Sequence, residues 1–232
     1  MRARLIYEKR GGACFVPHAA LVDLFSRAAR RAGINLRSTE GFSPHAKMSF
    51  GPELPAGVVA LCEAADLWLG EDPRKDAPEK AGARLVSMLN EQMPEGFRVK
   101  KCIFPAEGAP ALGKECGAAH YLIWPRIIGS AEKLLDRAKS HFGEDVLSAE
   151  VLGLDINIDI DEKETNGENG PRISIVLANP AKNGIGGWVK ALAGEGLVAG
   201  WQDLRIVRTA LGRWNGVRME PLTEEGVACL RL

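Results

Sequence analysis

Between Arg2 and Gly33 the chain reads RARLIYEKRGGACFVPHAALVDLFSRAARRAG, and its hydrophobic period changes within that stretch. Residues 2–7 alternate as a half-buried strand does, whereas apolar side chains recur at helical spacing from Ala19 to Gly33. Gly11 and Gly12 supply a turn between the two patterns, after which residues 13–16 return as a second strand or extend the first. Gly33 is a typical helix stop. A strand followed by an amphipathic helix is therefore the first unit of the fold.

The patterns downstream of this unit complete a β-α-β-β-α-β order. Extended segments are predicted at residues 58–62 and 65–69, a helix at 77–93 and a strand at 97–104. This order is that of the ferredoxin-like arrangement, in which two helices cover one face of a four-stranded antiparallel sheet.

The same order returns after a Gly-, Pro- and Ala-rich connection at residues 105–117. Strands are predicted at residues 118–128, 151–160, 172–178 and 204–211, and helices at 130–142 and 187–193. We therefore predict an α+β protein of two tandem ferredoxin-like (βαββαβ) domains with antiparallel sheets, residues 1–105 and 118–232. The acidic segment 161–171 lacks the central Gly and closing Glu of an EF-hand, so a solvated hairpin loop is predicted there.

Composition places the chain among globular proteins. It has 232 residues, of which 46% are hydrophobic and 26% charged, enough for one large or two small domains. Its apolar runs are too short to cross a bilayer, and the charged start MRARLIYEKR does not resemble a secretory signal. A cytoplasmic protein without membrane contact is expected.

The five cysteines indicate reduced, mostly buried thiols. They are scattered at Cys14, Cys62, Cys102, Cys116 and Cys229, an odd number without CxxC or CxH spacing. That pattern disfavours a disulfide framework, a structural zinc site and an iron–sulfur cluster. We expect no metal and no cofactor in this chain.

Charge is concentrated near the N-terminus although the whole chain has a formal net charge of zero. Residues 1–50 hold nine Lys/Arg against three Asp/Glu, a balance of +6, so the other 182 residues carry −6. Such a field favours phosphate or polyanion partners, while a solvated basic face is the alternative interpretation.

A second stretch, GFSPHAKMSFGPELPAG at residues 41–57, has a backbone that is restricted by Pro44, Pro52 and Pro55. If the segment is extended, alternate side chains point the same way, which makes a polar row suited to phosphate oxygens. The row comprises Ser43, His45, Lys47 and Ser49. Phe42 and Phe50 have the opposite parity and are predicted to anchor the loop in the core, with base stacking as the alternative.

The predicted first helix supplies a cluster of guanidinium groups on its polar face. Arg27, Arg30 and Arg31 lie at i, i+3 and i+4, and Asp23 lies four residues before Arg27. His18 precedes the helix. We predict that His18, His45 and the arginines converge on one pocket, whereas a capping or core histidine and a solvated arginine face are the structural alternatives.

Two segments together resemble a bacterial family of radical-SAM-linked proteins. They read FVPHAALVDLFSRAARRAGIN at residues 15–35 and STEGFSPHAKMSFGPELPAG at residues 38–57. Members of this family of unknown function occur beside, or fused to, cobalamin-type radical S-adenosylmethionine proteins. The resemblance implies such a protein as a partner, which would hold the iron–sulfur cluster that this chain lacks the cysteines to bind.

The departures from the family pattern favour binding over catalysis. Ala20 stands where the family has an aspartate, Asp23 where an arginine is common, Ser43 for asparagine and Ala46 for proline. A missing carboxylate at residue 20 removes a candidate base or an orienting group for His18.

Three functions are consistent with these sequence features. The first is a non-catalytic module that presents a structured RNA to the radical enzyme through Arg27, Arg30, Arg31, Ser43, His45, Lys47 and Ser49. The second is a metal-independent RNA-processing or RNA-modifying enzyme with His18 and His45 as acid and base. The third is a protein-interaction module that uses tryptophans of the second half, if several of Trp124, Trp188, Trp201 and Trp214 are exposed.

Overall fold

The computed structural model describes residues 1–75, 79–126, 130–153 and 170–223. Nine strands occur in these ranges: β1 Arg2–Lys9, β2 Met48–Phe50, β3 Val59–Trp68, β4 Phe97–Ile103, β5 Ala118–Pro125, β6 Val146–Leu152, β7 Arg172–Ala178, β8 Leu204–Trp214 and β9 Met219–Pro221. The same ranges contain five α-helices: α1 Leu21–Arg31, α2 Ala81–Asn90, α3 Leu112–Glu115, α4 Ala131–Phe142 and α5 Ile185–Gly194.

All nine strands belong to one sheet. Its order is β4-β1-β3-β8-β5-β7-β6, with β2 beside β3 and β9 beside β8. Every pairing is antiparallel except that of β3 with β8, where Val59 pairs with Val207 and Ala60 with Arg208. The protein therefore has a mixed α+β fold with a large, mostly antiparallel sheet.

This single sheet differs from the two separate sheets that the sequence predicted. The cause lies in the unequal lengths of β2 and β3. β2 pairs only with residues 65–67 of the ten-residue β3, so the start of β3 keeps an open edge on that side. β8 fills this edge and joins the strands of the two halves. Within each half the strands still follow equivalent orders, β4-β1-β3-β2 and β8-β5-β7-β6.

The helices of the two halves cover opposite faces of the sheet. Successive residues of a strand point to opposite faces, and on β1 Leu5 packs in the cluster that holds Phe25 of α1 and Leu89 of α2. Ile6 instead belongs to the cluster that holds Trp188 of α5 and residues of α4. That second cluster includes buried residues from both halves, so one core crosses the junction.

Hydrogen bonds fix the connection between the halves. Arg4 is buried and donates Nε and Nη2 to the Asp66 carboxylate at 2.7 and 2.9 Å, and Nη2 also donates to the Pro110 carbonyl at 3.3 Å. Arg2 donates to the Ala109 carbonyl at 3.0 Å. Leu112 of α3 is buried in the shared core. The predicted linker is thus attached to the first half over part of its length.

A second buried ion pair links β3 to β8. Arg208 is fully buried, and its Nε and Nη2 lie 2.7 and 2.5 Å from the two carboxylate oxygens of Glu63. Its Nη2 also donates to the Pro52 carbonyl at 2.9 Å. These bonds attach the proline-rich segment that follows β2 to a strand of the second half.

Most predicted elements are confirmed, with local exceptions. Residues 13–15 of the predicted strand 13–16 belong to a 3-10 helix at Gly11–Phe15. The two predicted segments at 58–62 and 65–69 are parts of one continuous strand, β3 Val59–Trp68. β2, α3 and β9 were not predicted. The predictions for residues 77–78, 127–128, 154–160 and the acidic loop up to residue 169 fall outside the described residues.

Buried polar and aromatic groups occupy the second half. His120 is buried, with Nδ1 2.5 Å from Thr209 Oγ1 and Nε2 2.9 Å from Ser174 Oγ, and burial lowers the pKa of His120 to about 4. Trp124 and Trp188 are buried, whereas Trp201 is exposed.

Cys14, Cys62 and Cys116 are buried thiols and Cys102 is half-buried. None of the described helices is long and apolar enough to cross a bilayer.

Candidate functional site

The segment that follows α1 forms a small hairpin, residues 36–47, beside the C-terminal end of β3. Its backbone is tied by bonds from Lys47 N to Arg37 O at 2.7 Å and from Thr39 N to His45 O at 2.8 Å. Arg37 N donates to Trp68 O at 2.8 Å, which attaches the hairpin to the sheet. The hairpin is thus held against the sheet, and its tip at residues 40–45 is exposed.

A Schellman motif directs the chain from α1 into this hairpin. Gly33 has a φ of +70°, a conformation that costs glycine little. Ile34 N donates to Ala29 O at 2.8 Å, as the motif requires. The predicted stop at Gly33 is therefore confirmed, and it turns the chain back alongside the polar face of α1.

A cleft of about 480 Å³ lies between α1 and the 36–47 hairpin. This first cleft is lined by Arg30 and His45, two of the residues that the sequence predicted to converge. It is also lined by polar side chains that were not predicted as site residues, namely Ser26, Asn35 and Ser38, together with Asp23. The cleft therefore carries both charge signs and several neutral hydrogen-bonding groups.

The guanidinium group of Arg30 is available to bind a ligand. Arg30 is exposed on α1, and its side chain forms no hydrogen bond or ion pair with any residue in the described ranges. Asp23, which lines the same cleft, also lacks an ion-pair partner within those ranges. Arg30 is thus available to an anionic ligand, and Asp23 lies in the same cleft without neutralising it.

The other two arginines of the predicted cluster do not line the first cleft. At about 100° per residue, Arg27 lies about 60° and Arg31 about 100° around the helix from Arg30. Arg31 donates Nη2 to the Gln92 carbonyl beyond the end of α2, at 2.6 Å. Arg27 is exposed. The three guanidinium groups therefore diverge around α1.

The imidazole of His45 is held within the hairpin through its Nδ1 atom, and the Ser43 contact favours one tautomer. Its Nδ1 lies 3.3 Å from the Ser43 carbonyl oxygen and 3.2 Å from Thr39 Oγ1. A carbonyl oxygen only accepts, so the bond to Ser43 assigns the proton to Nδ1. In the neutral ring Nε2 is then an acceptor, able to take a hydrogen bond from an O–H or N–H of a ligand.

The remaining members of the predicted polar row lie outside the cleft. The Lys47 ammonium is 5.4 Å from the centroid of the Trp68 ring, in a cation–π contact. Ser43 is exposed at the hairpin tip, and Ser49 in β2 pairs with Asp66 of β3. The predicted row therefore does not form one surface. His45 lines the first cleft, whereas Lys47 lies over the Trp68 ring.

His18 is separated from the first cleft. It is half-buried at the start of a 3-10 turn, with its ring 6.0 Å from that of Phe50 at an interplanar angle of 79°. Phe50 also packs against Phe25 of the core, which confirms its predicted anchoring role. His18 does not line the cleft that His45 lines.

Phe42 contradicts the prediction that it anchors the loop. Its side chain is fully exposed, at 109% of the reference value. The physical reason is the hairpin itself, because residues 40–45 form its tip and project from the sheet. Periodicity could not show this, since the parity of an extended strand does not continue around a turn.

Two solved structures are similar to this chain only at a low level. An unknown protein from Galdieria sulphuraria is 11% identical, with a TM-score of 0.25 over 89% of this chain and 96% of that one. The first two RRM domains of the yeast poly(U)-binding protein Pub1 are 10% identical, with a TM-score of 0.24 over 90% and 99%. No curated protein matches the chain.

A family match covers most of the chain and includes the whole of the first cleft. The family is described as uncharacterised protein conserved in bacteria, DUF2344, and it matches residues 2–164. Since that range exceeds half of the 232 residues, the chain belongs to this family of uncharacterised bacterial proteins.

Proposed function

We propose that this protein is a non-catalytic, RNA- or phosphate-binding accessory module that works with a radical S-adenosylmethionine protein. The observation that carries the binding part is that Arg30 and His45 line one cleft while Arg30 has no partner among the described residues. An arginine without an internal carboxylate partner favours an external anion. The balance of +6 over residues 1–50 would attract a polyanion to this side.

RNA suits the cleft better than a simple phosphate ion does. The lining combines one arginine with neutral hydroxyl and amide groups from Ser26, Asn35 and Ser38. Nε2 of neutral His45 accepts, so it can take a hydrogen bond from a ribose 2′-hydroxyl, the group that distinguishes RNA from DNA. Phe42, fully exposed at the hairpin tip, offers a ring on which a base can stack.

The enzymatic alternative has less support from the geometry. Acid–base catalysis of RNA cleavage needs two titratable groups within reach of the same substrate atoms. His45 lines the first cleft, but His18 packs on Phe50 and does not line it. Asp23 remains a second titratable group in the cleft. If the site were catalytic with His45, His45→Ala would abolish turnover of a bound RNA and spare its binding.

A tandem ferredoxin-like architecture is our interpretation of the fold, with domains at residues 1–105 and 118–232. Its support is the repeated β-α-β-β-α-β order and the equivalent strand orders β4-β1-β3-β2 and β8-β5-β7-β6. The pairing of β3 with β8 would then be a junction between two such units.

The radical enzyme as a partner rests on the resemblance of residues 15–35 and 38–57 to radical-SAM-linked proteins. The described cysteines are buried or half-buried, so we assign the radical chemistry to the partner. Co-purification of the tagged protein with a radical S-adenosylmethionine protein in its native host would support this assignment. A protein-interaction role through tryptophans alone is less favoured, since Trp124 and Trp188 are buried and only Trp201 is exposed among them.

A salt titration of RNA binding tests the proposal. In fluorescence anisotropy with a labelled tRNA, the logarithm of the association constant should fall linearly with the logarithm of salt concentration. The same length of duplex DNA should bind more weakly, because it lacks the 2′-hydroxyl. Affinity that is absent at low salt, or indifferent to salt, would reject the RNA-binding function.

A further inference from the structure

A second cleft adjoins the first and shares its wall. It has a volume of about 280 Å³ and lies between the end of β3 and α2. Residues 33–35 line both clefts, so this segment, which we call the ridge, is common to their walls. We define the two clefts and this ridge as the groove.

Cations whose side chains form no hydrogen bond or ion pair within the described ranges lie on both sides of the ridge. Arg30 lines the first cleft, and Arg84 and Lys75 line the second. Like Arg30, Arg84 is exposed and forms no hydrogen bond or ion pair through its side chain within the described ranges. Two cation positions separated by a ridge are suited to two phosphates of one strand.

The carboxylates of the groove leave the cations dominant. Asp72 is paired with Arg74, whose Nη2 lies 2.9 Å from its Oδ2, so this carboxylate is already neutralised. Hydrogen bonds from Arg74 lower the pKa of Asp72 to about 2, which keeps it ionised and paired. The other carboxylates of the groove are Asp23 and Glu71. They are outnumbered by three cations, Arg30, Lys75 and Arg84.

The ridge presents an amide that can bond a base edge. Asn35 is exposed on the ridge, and its side chain lies against Gly70, where a Cβ atom would come within 2.9 Å of Asn35 Nδ2. The absence of a side chain at Gly70 therefore leaves room for this amide. An asparagine amide offers both a donor and an acceptor, the combination that hydrogen-bonds the edge of an unpaired base.

We infer that the groove binds a single-stranded RNA segment of at least two nucleotides, with phosphates at Arg30 and Arg84 and a base at Asn35. This inference rests on the proposed RNA-binding function and deepens it. A single strand fits because both clefts are concave and its bases can splay apart, whereas the bases of a duplex are stacked and paired. The loops of a structured RNA supply such segments.

Oligonucleotide length is the variable that tests the inference. We would measure fluorescence anisotropy of labelled oligouridylates of one, two, four and eight nucleotides at fixed low salt. Affinity should rise at least tenfold between one and four nucleotides. Arg84→Ala should remove most of that rise while changing the affinity for uridine monophosphate less than twofold. Arg98→Ala removes an exposed arginine of β4 that lines neither cleft, and it should leave the rise intact.

Each contrary result has a distinct meaning. Affinity that is equal for all lengths, or lost equally in Arg84→Ala and Arg98→Ala, would overturn the two-phosphate groove but not phosphate binding. No affinity at any length would overturn the proposed function as well. Competition by a hexaglutamate peptide as strong as that by tetrauridylate would overturn RNA as the ligand and favour an acidic protein partner.

The base contact has its own test. Among labelled tetranucleotides of A, C, G and U, the wild-type protein should bind the best at least several-fold more tightly than the worst. Asn35→Ala and Gly70→Ala should both reduce that difference, since the first removes the amide and the second displaces it. An unchanged preference in both variants would show that Asn35 does not contact a base.

Discussion

Arg30 and Arg31 are neighbours in the sequence, yet their side chains have different roles in the structure. Arg30 faces the first cleft without a partner among the described residues, whereas Arg31 donates to the carbonyl of Gln92 at 2.6 Å. One guanidinium is thus available to a ligand, and the other joins α1 to the end of α2. The contrast follows from helix geometry, since adjacent residues point about 100° apart.

Alanine substitution should separate these roles. Arg30→Ala should weaken RNA binding by roughly tenfold, because a hydrogen bond to a charged group contributes about 1.5–3 kcal/mol. It should also lower the slope of the salt dependence by about one. Arg31→Ala should change binding less than twofold and lower the free energy of unfolding by about 1 kcal/mol. Equal effects of both substitutions on binding would contradict the assignment of Arg30 to the cleft.

His120 predicts a specific dependence of stability on pH. Its pKa falls from the usual 6.5 to about 4 in the folded protein because of burial. Between these values the unfolded chain binds a proton that the folded chain does not, so the free energy of unfolding decreases as pH falls from 6.5 to 4. The full loss is about 3 kcal/mol.

Urea unfolding at several pH values between 7.5 and 4.5 measures this loss. The variant His120→Gln keeps hydrogen-bonding groups near Thr209 and Ser174 but does not titrate. Its free energy of unfolding should depend less on pH across this interval than that of the wild-type protein. Parallel curves for the two proteins would show that His120 is not the titrating group.

At the scale of the elements, α2 packs closely on β4. A Cβ atom at Gly82 would come within 2.7 Å of the Cys102 carbonyl oxygen, so the first turn of α2 lies almost in contact with the β4 backbone. Glycine costs a helix about 1 kcal/mol relative to alanine. At Gly82 the close contact with β4 explains why glycine, which lacks a side chain, is favoured over alanine.

Gly82→Ala should therefore destabilise the protein by about 1–3 kcal/mol, the usual cost of overpacking. Gly113→Ala in α3 is the matched control, because a Cβ atom there would meet nothing within 4 Å. That control should be neutral or slightly stabilising. Thermal unfolding of both variants measures the difference, and a stabilised Gly82→Ala would mean that α2 does not approach β4 so closely.

Elements with a strong period were predictable from the sequence. β1, α1 and β7 each have a clear alternating or helical pattern, and each lies close to its predicted range. β2 and β9 were missed because three residues cannot establish a period. The continuous β3 was divided into two segments because Glu63 interrupts its apolar run, and only the structure shows that Arg208 compensates this buried charge.

The candidate site was predictable only in part. The charge asymmetry and the proline-rich loop pointed to Arg30 and His45, which do line one cleft. Asn35, Ser26 and Ser38 were missed, since small polar residues give no signal until a turn brings them together. Arg84 was missed because the second cleft depends on how α2 packs against the end of β3.

At the scale of the whole molecule, the two halves share a core. The largest hydrophobic cluster includes Ile6 and Cys62 of the first half together with Tyr121 and Trp188 of the second. The apolar residues of either half would be partly exposed without the other, which favours a single cooperative unfolding transition.

Two probes of the same variant can test this cooperativity. In Trp68→Phe all remaining tryptophans lie after residue 117, so fluorescence reports on the second half while far-ultraviolet circular dichroism reports on both. The two urea transitions should coincide. Separate midpoints would instead indicate that the halves unfold independently, as two autonomous domains do.

The buried pair of Glu63 and Arg208 should contribute strongly to that shared stability. Arg208→Met leaves the Glu63 carboxylate buried without its partner, which costs about 3–5 kcal/mol. Adding Glu63→Gln should recover part of the loss, since the uncompensated charge is removed. If the double variant were no more stable than Arg208→Met, as measured by urea unfolding, the charge would not be the cause.

The same pair has a consequence for synthesis on the ribosome. Glu63 and Arg208 are 145 residues apart in the chain, so Glu63 is made on the order of ten seconds before its partner at ordinary translation rates. During that interval β8, α4 and α5, whose residues pack with Ile6 in the folded protein, are not yet available to cover this face of the sheet. The core that Ile6 shares with the second half is therefore completed only after β8 has been made.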